Sequence, residues 1–88
     1  MDLTEIRQEI DQVDNELVAL LEKRMKLVAQ VLHYKQSTGK TVLDKGREQV
    51  ILEKVANQVD DKIYEESIVQ TFSDILKNSR QYQEKRLS

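Results

Sequence analysis

The residues best suited to chemistry in this chain are cations and hydrogen-bond donors at helical spacing. Arg24 stands where an apolar residue is due, and Lys35 follows 11 positions later. At about 100° per residue that interval returns to nearly the same helix face, about 16 Å further along the axis, so two long side chains can converge on one ligand. Asp44, Arg47 and Glu48 stand at i, i+3 and i+4 and cluster on one surface. Ser79 and Gln83, four apart, place hydrogen-bonding groups where hydrophobes are due. A guanidinium suits bidentate binding of a planar carboxylate, and a compact ammonium suits a single oxygen. A neutral amide such as Gln83 donates without first being protonated. Arg7 is about 25 Å from Arg24 along one helix, too far to share a small molecule within the chain but available to a partner's site.

Each of these residues also has a plainer reading. Arg24 can set the register of a helical seam or reach to solvent along its stem. Asp44 can be only a helix cap, and Arg7, Lys35, Arg47 and Glu48 can belong to solvated faces. Other candidates are weaker. Gly39-Lys40-Thr41 has the end of a phosphate-binding loop, but Tyr34 stands at the required upstream glycine and no strand precedes it. His33 has no acidic or cysteine partner at metal spacing and reads as a surface side chain. Asp60-Asp61 and Glu65-Glu66 read as turn and helix-start charges.

Helices must position the polar groups. From Ile6 the apolar positions run Ile10, Val13, Leu17 and Leu20, then Leu27, Val31 and Tyr34, alternating by four and three with one gap at Arg24. With Thr4 as N-cap and Ser37-Thr38-Gly39 as the end, the first helix has about 33 residues and spans about 50 Å. A compact globule of this chain length has a radius of gyration of about 12 Å, so the helix calls for a second chain to cover it. Residues 39–43 read as a loop. Asp44 then caps a second helix running to about Val59, with Val50, Ile51 and Val55 inward and Gly46 weakening its first turn. After a turn at Asp60-Asp61, the residues Tyr64, Ile68, Phe72 and Ile75 mark a third helix to about Arg86.

Composition agrees with an all-α fold, because the 88 residues include no proline and only two glycines. The expectation is one domain over residues 1–88, near the size at which a partner subunit helps to bury enough surface. Without cysteine, neither disulfides nor thiolate zinc sites are available, and a reducing, cytoplasmic compartment is expected. A net charge of -2 with interspersed signs argues against nucleic acid as a partner. No apolar run reaches membrane-spanning length, and residues 1–10 are too charged for a signal peptide.

In order and spacing the chain resembles the all-helical chorismate mutases, the type II class, over essentially its whole length. The resemblance rests on Arg7 within Ile6-Arg7-Gln8-Glu9-Ile10-Asp11, on Leu20-Leu21-Glu22-Lys23-Arg24, on Lys35, on Val42 to Glu48, and on Ser79 with Gln83. It implies a long first helix and two shorter ones, with two chains intertwined as a homodimeric helical bundle around two equivalent active sites. It further implies the intramolecular rearrangement of chorismate to prephenate in phenylalanine and tyrosine biosynthesis, with no cofactor. Arg24 and Arg47 would bind substrate carboxylates, Arg7 would reach in from the other chain, and Ser79 would add a hydrogen bond. Asp44 and Glu48 would hold the substrate hydroxyl, and Lys35 and Gln83 would donate to the ether oxygen. Lys35, Gln83 and Glu48 are thus the expected catalytic residues. Thr41 departs from the family at a position where proline is frequent. No effector-binding domain is expected within the 88 residues.

Two rivals stand beside this reading. One is a lyase on the same scaffold, eliminating pyruvate from isochorismate, which needs similar carboxylate clamps. The other is a non-catalytic helical dimerisation module, for which the four-three seam is sufficient but the polar interruptions are superfluous.

Overall fold

The computed structural model describes residues 1–87, and Ser88, the last residue of the expected domain, lies outside the described residues. The protein is all-helical: α1 spans Leu3–Thr38, α2 Lys45–Gln58 and α3 Glu65–Leu87, with a single 3-10 turn at Lys62–Tyr64 leading into α3. No described helix is long and apolar enough to cross a membrane.

The 36-residue α1 begins two residues earlier than Thr4 would allow, because Asp2 is the cap. Asp2 is extended and its Oδ1 accepts from the Glu5 backbone N–H at 2.9 Å. Asp followed three residues later by Glu is a capping pattern that outcompetes Thr4, which is already inside the first turn. At the other end Gly39 takes φ +73°, a left-handed conformation that glycine adopts without a Cβ penalty. Asp44 caps α2 as expected, its Oδ1 accepting from the Arg47 N–H at 2.9 Å. Asp61 performs the same service for the 3-10 turn, accepting from the Ile63 N–H at 3.3 Å.

Helix α3 is the centre of the chain, packing against both α1 and α2, while α1 and α2 do not approach each other closely. A cleft therefore opens between them. The contact faces differ in part from those expected. On α3 the inward line is Val69, Phe72, Leu76, Ser79 and Gln83, whereas Tyr64 and Ile68 are exposed. The expected and observed lines share Phe72 and part on either side of it, where Val69 turns inward in place of Ile68 and Leu76 is buried while Ile75 is half-buried. On α2, Val55 is buried and Ile51 half-buried, but Val50 is exposed, one residue and hence about 100° off their line.

On α1 the most buried residue is Leu32, at 5% exposure, with Leu21, Met25 and Val28 half-covered on the same side. The four-three seam is a neighbouring stripe, and within one chain it stays open, from 41% exposure at Ile6 to 63% at Leu20. The molecule is accordingly rod-like, 53 × 24 × 16 Å with a radius of gyration of 16.0 Å, well above the roughly 12 Å of a compact globule this size.

Candidate active site

The cleft between α1 and α2, floored by α3, contains a cavity of about 260 Å3. From α1 it receives Arg24 and Lys35 with the apolar Leu27, Val28 and Val31 between them. The α1–α2 loop and the start of α2 supply Val42, Asp44, Arg47 and Glu48, with Ile51 one turn further on. Helix α3 contributes Leu76, Ser79, Arg80 and Gln83. Seven of the eight residues nominated from the sequence thus meet at one place, including side chains separated by nearly sixty positions. Arg7 does not. It lies in the exposed N-terminal part of α1, outside the cavity of its own chain.

Several of these side chains are held in place. Arg24 Nη1 donates to Ser79 Oγ at 2.9 Å, and the Ser79 hydroxyl in turn donates to Ile75 O at 2.9 Å. Ser79 is 5% exposed, so the Arg24 contact also satisfies a buried hydroxyl on the facing helix. Lys35 Nζ donates to Val42 O at 2.7 Å, fastening the loop to the end of α1 and leaving two further N–H donors on the ammonium. The loop has a second tie, from the Thr41 hydroxyl to Leu43 O at 3.1 Å, so the residue at the family's frequent proline position braces the turn by a different means. Gly46 is accommodated inside α2, where an added Cβ would make only ordinary contact with Asp44 Oδ1 at 3.6 Å.

Gln83 is 6% exposed and donates from Nε2 to Ser79 O at 3.3 Å, while its buried Oε1 has no hydrogen-bond partner among the described residues.

The sequence reading missed Arg80. Its Nη1 donates to Glu48 Oε1 across the α2–α3 contact, and both side chains line the cavity. Its signal was available only weakly, as a cation adjacent to Ser79, because a charged residue among the polar positions of an amphipathic helix reads first as part of a solvated face. With it, the cavity holds four cationic and two acidic side chains, an excess of two formal positive charges in a chain whose net charge is -2. His33, by contrast, is exposed, and among the described residues no group of side chains is arranged to hold a metal ion.

The fold and cavity define an all-helical protein with a half-enclosed pocket of net positive charge. The chain belongs to the chorismate mutase type II family, whose sequence pattern matches residues 6–84. It is 39% identical over 56 residues, 64% of its length, to a protein of Buchnera aphidicola subsp. Schizaphis graminum (strain Sg) named bifunctional chorismate mutase/prephenate dehydratase. The match spans 14% of that longer protein. None of the solved structures compared matches the chain significantly.

Proposed function

We propose that this chain catalyses the rearrangement of chorismate to prephenate in aromatic amino acid biosynthesis, with the α1–α2 cleft as its active site. The observation that carries the reading is the meeting of Arg24, Lys35, Arg47, Ser79 and Gln83 in one cavity of net positive charge. Chorismate is a dianion, and in its rearrangement one carbon–oxygen bond breaks while one carbon–carbon bond forms within the same molecule. No proton or leaving group is exchanged, so catalysis consists of holding the compact conformer and stabilising charge on the departing ether oxygen. Arg24 and Arg47 bind the carboxylates, with Ser79 adding a hydrogen bond beside Arg24. Glu48 and Asp44 accept from the ring hydroxyl. Lys35 and Gln83 donate to the ether oxygen: Lys35 has donors beyond the one given to Val42 O, and Gln83 Nε2 has a second N–H.

The reading includes a homodimer and a cytoplasmic location, with the 88 residues forming a single domain. Support for the dimer comes from the apolar seam at Ile6, Ile10, Val13, Leu17 and Leu20, exposed together along one side of α1. Contiguous apolar surface of this extent is what a second copy covers. The same pairing carries Arg7 of each chain to the cleft of the other, where it completes the carboxylate clamp.

The test is a continuous assay of chorismate disappearance with product identification, comparing wild type with Lys35→Ala. Prephenate from the wild type and at least a hundredfold slower turnover in the variant are expected. Pyruvate released from isochorismate, with chorismate untouched, would instead assign the scaffold to the lyase reaction. A folded chain inert toward both would make it an interaction module.

A further inference from the structure

Arg80 lines the cavity but has no part in the mechanism above. Its guanidinium binds one oxygen of Glu48, joining α3 to α2, and the two side chains are only 28% and 23% exposed. Glu48 poses a physical problem in this place. As an acceptor for the substrate hydroxyl it must point into the cavity, yet its charge there repels a ligand that carries two carboxylates. Nor does its own helix hold it, since the hydrogen bonds of the first turn of α2 are made by Asp44. The other cations have different engagements. Arg24 is bound to Ser79, Lys35 reaches the Val42 carbonyl, and Arg47 is exposed at the cavity's edge.

We propose that Arg80 is a positioning residue, which holds Glu48 Oε1 so that Oε2 faces the substrate hydroxyl and cancels the repulsion between Glu48 and the dianion. The inference rests on the mutase reading, and it adds a residue that acts on substrate only through Glu48. A planar guanidinium suits the task because it fixes the direction of a carboxylate as well as its charge.

The test is a double-mutant cycle on the whole chain, measured both as steady-state kinetics and as calorimetric binding of chorismate. Arg80→Ala should lower kcat/KM about thirtyfold, with the larger share in KM, because repulsion weakens ground-state and transition-state binding alike. Arg80→Lys, which returns the charge without the planar fork, should recover KM more fully than kcat. In a Glu48→Gln background, where no charge remains to be cancelled, Arg80→Ala should cost less than about threefold. Arg80→Gln provides the comparison if Arg80→Ala does not keep its helical circular dichroism. An equal loss in both backgrounds overturns the proposal, since Arg80 would then touch the substrate or serve only the fold. So does the absence of any loss when Glu48 is intact. A wild type that binds chorismate without converting it sinks the mutase reading while the binding cycle still decides on Arg80; one that neither binds nor converts it overturns both.

Discussion

The two halves of α1 carry the same four-three pattern and meet different fates. From Ile6 to Leu20 every member of the seam is exposed, and none of them lines the cavity. Beyond Arg24 the same seam turns over the cleft, so that Leu27 and Val31 become the apolar wall between the cationic Arg24 and Lys35. Exposure does not separate the halves, since Leu27 and Val31 are 52% and 48% exposed; the difference is that the second half borders the cleft formed with α2 and α3 and the first half does not. A single periodicity thus runs from an open apolar stripe at one end to a cavity wall at the other, with Arg24 at the changeover.

The largest effect should come from breaking the second half. Arg24→Ala is expected to reduce turnover about 10²- to 10³-fold, while circular dichroism stays helical because Ser79 retains its bond to the Ile75 carbonyl. An Arg24→Ala enzyme with normal turnover would detach the changeover from the chemistry. Next in size is damage to the first half. Ile10→Asp places a charge in the seam and should weaken self-association about a hundredfold in sedimentation equilibrium, since burying an unpaired charge costs several kcal/mol. Unchanged association would mean that the exposed stripe is not the interface.

A third experiment joins the halves. Arg7→Ala and Lys35→Ala chains, each nearly inactive, are mixed and allowed to exchange subunits. If Arg7 acts in the partner's cleft, one site of each mixed dimer is intact and about a quarter of wild-type activity returns. If Arg7 acts in its own chain, none does. The smallest effect is expected at His33, exposed on the second half and outside the cavity, where His33→Ala should change kcat less than twofold.

Legibility in the sequence followed the range of the interactions. The caps were readable where one residue of the right type stood at a boundary, as with Asp44, and were misjudged where two competed, as with Asp2 and Thr4. Arg24, Ser79 and Gln83 stood out because polar residues interrupt apolar stripes, and the interruption survives in a linear reading. Arg80 did not, since it sits where a charge is ordinary and takes its meaning from Glu48, 32 positions away on another helix. Val50 and Ile68 failed for a related reason. Each neighbours an equally apolar residue, and a turn of about 100° decides which of the two is inward.

What the residues by themselves determined was the all-helical architecture and its three segments, because helix propensity and capping are properties of short stretches of chain. Only the tertiary structure decided which stripe of each helix is buried, that the seven side chains share one cavity, and that Glu48 is paired with Arg80. Those are outcomes of helix packing, in which rotations of a fraction of a turn bring distant residues together or leave them apart.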